Sequence, residues 1–106
     1  MNIIEIEKDG NCYYRNLSYL FTKKEIYYEY YRTLLYDYIK KNKKTLISES
    51  PYISVNNKLT KLEEYIPKII LDGTFAGDFE IANSIKLFNI NIAIYSLNNK
   101  NNTIIY

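Results

Sequence analysis

Histidine and tryptophan are absent from this 106-residue sequence, and cysteine occurs once, at Cys12. With no histidine and a single thiol, the side chains that usually build a zinc site are missing, so neither a metal nor another cofactor is expected. One cysteine excludes an internal disulfide, and no charged segment followed by an apolar run and a cleavage site opens the chain. Both point to an intracellular, cytoplasmic protein. The longest apolar stretches, such as Ile66 to Leu71, fall far short of the roughly 20 residues that span a bilayer, so no membrane partner is expected. A Walker-type phosphate loop and an internal repeat are also missing. Arginine appears only twice and the net charge is +2, too small to imply an electrostatic partner.

What is present suits one small domain, which at this length buries about two thirds of the surface of its unfolded chain. Hydrophobic residues at 47% and charged residues at 25% are ordinary for a globular protein and argue against a disordered chain. Ile, Tyr, Asn and Lys supply more than half of the sequence, and all four have A/T-rich codons. The excess of Tyr and Lys is therefore read as the mark of an AT-rich gene before it is read as a stacking or phosphate-binding surface.

The sequence is organised around Asp9-Gly10-Asn11-Cys12-Tyr13-Tyr14-Arg15. Gly10 has backbone freedom and Asn11 tolerates left-handed geometry, so Asp9 to Asn11 reads as a tight turn with a helix beginning directly after it. Cys12 then falls in the first helical turn, where unpaired amides and the helix dipole favour negative charge on sulfur. Backbone N–H groups from Gly10 to Cys12 are placed to meet an oxyanion forming on a carbonyl that the sulfur attacks. Against this stands the ordinary reading of a lone cysteine as a small buried hydrophobe.

Residues 1–8 read as a short strand or an extended arm, and Cys12 to Leu20 as a buried helix. Arg15 is either a solvated helix charge or an ion-pair member. Thr22-Lys23-Lys24-Glu25 has capping-box spacing and predicts a new helix. Its core stripe combines Ile26/Tyr30/Leu34/Tyr38 with Tyr27/Tyr31/Leu35/Ile39, leaving Glu29, Arg32, Thr33, Asp37 and Lys40 outside. The cluster Lys40 to Lys44 is read as dipole compensation rather than a nucleic-acid patch. Residues 45–57 read as an irregular loop. Thr60 to Glu63 is a second capping box, opening a helix with Leu62, Tyr65, Ile66, Ile69 and Ile70 inward, kinked or shortened by Pro67. After Asp72-Gly73 and an N-cap at Gly77-Asp78, Phe79 to Phe88 reads as a helix burying Phe79, Ala82, Ile85, Leu87 and Phe88. Asp78 and Glu80 are assigned capping and dipole roles. Ile90 to Leu97 alternates like a strand, 98–102 is a turn, and Thr103 to Tyr106 returns as a second strand. That terminal strand is expected to be an exposed edge prone to self-association.

Asp-Gly-Asn-Cys followed by two aromatics and Arg resembles the nucleophile motif of the ovarian tumour (OTU) family of cysteine proteases, most of which are deubiquitinases. Gly73-Thr74-Phe75-Ala76-Gly77-Asp78-Phe79-Glu80-Ile81-Ala82 is similar to the Gly-x-Trp-Gly-Gly-x-x-Glu segment of that family, and 89–96 resembles its short loop and central strand. The resemblance implies an α/β (α+β) fold of OTU type, with helices packed on a small β-sheet. It also implies hydrolysis of the isopeptide bond between ubiquitin, or a similar modifier, and lysine. Cys12 would be the catalytic nucleophile, Asp9 a member of the active-site loop, and Gly10, Asn11 and Cys12 the backbone donors to the oxyanion. Phe75 stands where Trp is usual, Ala76 where Gly is usual, and Asn16 where a small apolar residue is common. In the family a catalytic histidine follows on a later strand, and this sequence has none. The chain is accordingly expected to be a single OTU-like domain over 1–106, truncated before that strand and inactive as it stands. The alternatives are a non-catalytic ubiquitin-binding pseudoenzyme, one half of an assembly completed by another polypeptide, or a Lys/Tyr-rich nucleic-acid-binding domain with salt-dependent affinity.

Overall fold

Two isoleucine-rich segments from opposite ends of the chain meet in one sheet, because β-branched side chains suit a pleated, half-buried surface. In the computed structural model, which describes residues 3–7, 10–90, 93–97 and 101–105 and the side-chain surroundings of 10–90, this sheet has three antiparallel strands. Strand β1 (Ile3–Glu7) and strand β4 (Ala93–Leu97) flank the last strand, β5 (Asn101–Ile105). Ile105 and Ile104 stand opposite Ile3 and Ile4 on one side and opposite Ala93 and Ile94 on the other. The terminal strand is therefore central through Ile105, and the expected exposed edge at Thr103 to Tyr106 is corrected: β1 covers it. Self-association through that edge loses its premise. Tyr106 lies outside the described residues. The first segment is a strand rather than a free arm for the same reason, since pairing satisfies backbone groups on both.

Between the sheet strands lie the helices. Helix α1 (Cys12–Thr22) ends at Lys23, which takes the left-handed conformation (φ 65°) and donates its N–H to the Tyr19 carbonyl. The Thr22 capping box does not form. Thr22 Oγ1 donates back to the Ser18 carbonyl at 2.7 Å and accepts the Lys24 N–H at 3.1 Å, so Thr22 closes α1 instead of opening the next helix. A 3₁₀ turn (Glu25–Tyr27) leads into α2 (Tyr28–Lys41). Where an irregular loop was expected, α3 (Lys43–Glu49) is followed by a hairpin of β2 (Tyr52–Val55) and β3 (Lys58–Lys61). Its turn is Asn56-Asn57, with φ 50° and 64°. Two consecutive left-handed residues are what a tight hairpin turn requires, and asparagine adopts that conformation readily. Thr60 thus lies in β3, opposite Ile53, and caps nothing. Helix α4 (Leu62–Tyr65) tightens to a 3₁₀ turn (Ile66–Lys68), as Pro67 lacks the N–H to continue it. Helix α5 (Asp78–Phe88) ends at left-handed Asn89. The fold class is α+β.

The core joins Tyr13, Tyr14 and Leu17 of α1, Tyr31, Leu35 and Ile39 of α2, and Leu62, Ile66 and Ile69. Each fully buried aliphatic side chain contributes about 1.5–3 kcal/mol. Two faces differ from the sequence reading. On α2 the row Tyr31/Leu35/Ile39 is buried together with Arg32, while Tyr30 is exposed, as is Ile26 in the preceding 3₁₀ turn. On α5 the buried residues are Glu80, Asn83 and Ser84, whereas Ala82 is exposed. Both helices turn a polar side chain inward because a partner waits there: Ser84 hydrogen-bonds the Tyr13 hydroxyl, and Glu80 and Arg32 serve the site described below. No helix among the described residues is long and apolar enough to cross a membrane.

A central antiparallel strand exchanges hydrogen bonds on both sides, whereas an outer strand leaves every other amide unpaired. Amide exchange followed by NMR is therefore expected to be slow at successive β5 residues and slow only at alternate residues of β1 and β4. Fast exchange along β5 would place it at the margin of the sheet.

Candidate active site

Helix α1 begins at the only cysteine, with Asn11 as its N-cap residue. Asn11 has φ −105° and ψ 3°, so the left-handed geometry expected of it is not used. Its side chain makes no cap to the helix either. Instead, Oδ1 accepts the Gly73 N–H at 2.9 Å and Arg32 Nη2 at 2.7 Å. The two motifs singled out in the sequence, about 60 residues apart, are thereby held together by one amide oxygen. The α1 turn itself closes through the backbone, Arg15 N–H to the Asn11 carbonyl at 2.9 Å.

Gly10 is required by space. A Cβ built on it would lie 1.5 Å from the Gly73 carbonyl oxygen, so the turn and the 73–74 loop touch backbone to backbone. Gly73 is left-handed at φ 79°, which aims its N–H at Asn11 while its carbonyl packs against Gly10. Cys12 is 4% exposed, a burial that both the structural and the nucleophilic reading of this residue accommodate. Asn16, also buried, donates Nδ2 to the Cys12 carbonyl at 2.9 Å. Arg15 lies with its guanidinium 4.2 Å from the centre of the Tyr28 ring, a cation–π contact not foreseen for it. Asp9 falls outside the described residues.

The residue that sequence reasoning misplaced is Arg32. Assigned to the outer face of α2, it is 2% exposed. Nη1 donates to the Ile69 carbonyl at 2.7 Å, and Nη2 donates to Asn11 Oδ1, to the Thr74 carbonyl at 2.9 Å and to the Gly10 carbonyl at 3.2 Å. The guanidinium sits 4.1 Å from the centre of the Tyr14 ring. A signal was available: in a chain with 12 lysines, one of only two arginines falls in the middle of a core-facing helix. A planar guanidinium carries donors on separate nitrogens in fixed directions, so Nη1 reaches Ile69 while Nη2 serves the turn, a span that the single ammonium of a lysine lacks.

At the far end of the second motif, Glu80 accepts the Tyr65 hydroxyl at 2.6 and 2.8 Å on its two oxygens and the Gly77 N–H at 3.1 Å. Burial raises the Glu80 carboxyl above its usual range, opposed by these hydrogen bonds. Burial also pushes the Tyr13 phenol up to about 12, so its bond to Ser84 is made by a neutral hydroxyl. Phe75 and Ala76 bridge the two anchored ends, with Phe75 exposed. A groove of about 1040 Å³ runs between the β2–β3 hairpin and residues 74–79, lined by Tyr52, Ile53, Tyr65 and Phe75 among others, and does not include Cys12.

Two outcomes test this construction. Gly10→Ala is expected to destabilise the protein by at least about 1–3 kcal/mol in urea unfolding, because its methyl meets backbone. Gly77→Ala, whose methyl would meet side-chain atoms alone, the Tyr65 hydroxyl at 3.1 Å and Glu80 Oε1 at 3.7 Å, is expected to cost less. Glu80, with its native carboxyl raised, contributes stability that is fully present below its unfolded value and is lost as pH rises through the folded one. The stability of the parent relative to Glu80→Gln should therefore be greater near pH 3.5 than near pH 7, by thermal melts at both. A difference that grows with pH would contradict the burial effect.

No protein-family model matches the chain. Over 95 residues it is 28% identical to a protein of Arabidopsis thaliana named ovarian tumor domain-containing deubiquitinating enzyme 7, a match that takes in 90% of this chain and 24% of that protein. The chain thus spans about a quarter of the length of the relative it matches, and over most of its own length it is similar to a deubiquitinase of OTU type.

Proposed function

We propose that residues 1–106 form one OTU-type cysteine-protease domain directed at ubiquitin or a ubiquitin-like modifier, with Cys12 as the nucleophile. The observation that carries this reading is the joining of the Asp-Gly-Asn-Cys turn to the 73–74 loop through Asn11 Oδ1, two separately recognised motifs in one place. The similarity to a protein named as a deubiquitinating enzyme supports the substrate class. In the reaction the Cys12 sulfur attacks the isopeptide carbonyl carbon and a C–S bond forms. The resulting oxyanion is met by backbone N–H groups of Gly10, Asn11 and Cys12, and the resemblance to OTU proteases assigns Asp9 to the active site as well. The C–N bond then breaks, the lysine amine leaves with a proton, and water hydrolyses the thioester.

Proton removal from the thiol and proton delivery to the amine need an acid–base group, and these 106 residues contain no histidine. The same fact favours a second reading, a pseudoenzyme that binds the modifier without turning it over. The two readings separate in one experiment. Ubiquitin carrying an electrophile at its C-terminus should form an adduct with the chain that Cys12→Ala abolishes, while diubiquitin turnover stays negligible, since a general base contributes about 10²–10⁴ in rate. Binding of ubiquitin without adduct formation would favour the pseudoenzyme. Turnover abolished by Cys12→Ala would show that another group acts as base, and neither adduct nor binding would remove ubiquitin as the substrate.

A further inference from the structure

We propose that Arg32 is a positioning residue for the oxyanion-binding turn, acting through the Gly10–Asn11 peptide and the Asn11 side chain; this rests on the reading of Cys12 as a nucleophile. The Gly10 carbonyl and the Asn11 N–H belong to one rigid plane and, in the trans form, point in opposite directions. Arg32 Nη2 donates to that carbonyl, so it fixes the direction of the Asn11 N–H, away from the guanidinium. Rotating this peptide by half a turn would lose the bond and turn an N–H dipole onto a buried cation. The same nitrogen holds Asn11 Oδ1, which in turn holds the Gly73 N–H, and it reaches the Thr74 carbonyl as well. Both sides of the turn are thus pinned to α2 from beneath.

The bonds of Arg32 also explain why the position is an arginine. Its hydrogen-bond acceptors among the described residues are three backbone carbonyls and one amide oxygen, and the buried Glu80 carboxyl meets it through space and not as an acceptor. That carboxyl balances the guanidinium charge, so the N–H groups of Arg32 are left to the neutral acceptors of the turn. A cation facing neutral acceptors leaves the backbone dipoles oriented, with their N–H ends directed away from it. Donors aimed in advance at a site of developing negative charge cost no reorganisation when the charge appears.

The test separates oxyanion stabilisation from folding by using two reagents on the same thiol. Iodoacetamide alkylates Cys12 by displacing iodide from carbon, with no charge placed on a carbonyl oxygen. With p-nitrophenyl acetate, sulfur adds to the carbonyl carbon, an oxyanion forms, and its collapse expels p-nitrophenolate and leaves S-acetyl-Cys12. The ratio of acylation to alkylation rates, each corrected with Cys12→Ala, is the readout. Arg32→Gln is expected to lower this ratio about 10-fold or more, a part of the 10²–10³ that loss of an oxyanion donor costs. Arg32→Lys keeps the charge but not the fork and should lower it too. If Arg32→Gln does not fold, Asn11→Ser, which shortens the link while leaving Arg32 on Ile69 and Thr74, should show the same fall. Equal changes in both rates, full retention of the ratio in Arg32→Lys, or no Cys12-dependent burst from the parent would each overturn the inference. Failure of the ubiquitin electrophile with the ratio effect intact would remove the substrate reading alone.

Discussion

A buried guanidinium with four oxygen acceptors is the interaction on which the rest of this structure depends. Arg32 leaves α2 beneath the turn that precedes Cys12 and reaches the carbonyls of Gly10, Ile69 and Thr74 and the amide of Asn11. Hydrogen bonds to a charged group contribute about 1.5–3 kcal/mol each, and leaving a buried acceptor unpaired costs about 1–3 kcal/mol. Together they outweigh any single apolar side chain of the core. The apolar contacts set the distance between α1 and α2, and the fork decides which backbone segments lie over α2 and in what orientation.

Polar side chains at interior positions recur around this centre. Tyr13 with Ser84 ties α1 to α5, Tyr65 with Glu80 ties α4 to α5, and Asn11 with Gly73 ties the turn before α1 to the 73–78 loop. Such contacts specify one arrangement more narrowly than apolar packing does, because a displaced hydrogen bond leaves a buried group unsatisfied. The loop from Gly73 to Gly77 is consequently anchored at both ends while Phe75 between them faces solvent. A loop so held keeps its backbone direction without a helix or strand of its own.

How much of this could be read from the residues depended on the kind of signal. Helix α1, the helix at 78–88 and the terminal hairpin follow from periodicity and turn residues, which are local. The Asp-Gly-Asn-Cys turn was legible as a tight turn opening a helix, though through the wrong property of Asn11: its side-chain oxygen matters and left-handed geometry does not. The hairpin at 52–61 was hidden because Asn-Asn lacks the glycine that usually marks such a turn, and Thr60 imitated a cap. On α5 the apolar count rightly put Phe79, Leu87 and Phe88 against the core but missed Glu80 and Ser84, which are buried because their partners lie on other elements.

By itself the sequence determined where the helix with the cysteine begins, that no histidine accompanies it, and that two OTU-like motifs occur in order. These are properties of neighbouring residues or of composition, and they survive without coordinates. Only the tertiary structure decided that Thr103 to Ile105 runs between two strands and that Arg32 faces inward. Only the tertiary structure showed that Gly10 lacks a side chain because Gly73 lies against it. Each of those depends on a partner tens of residues away. The free energy of a strand pairing, a buried charge or a backbone contact is set by what arrives from elsewhere in the chain, and a local pattern of residues carries no record of it.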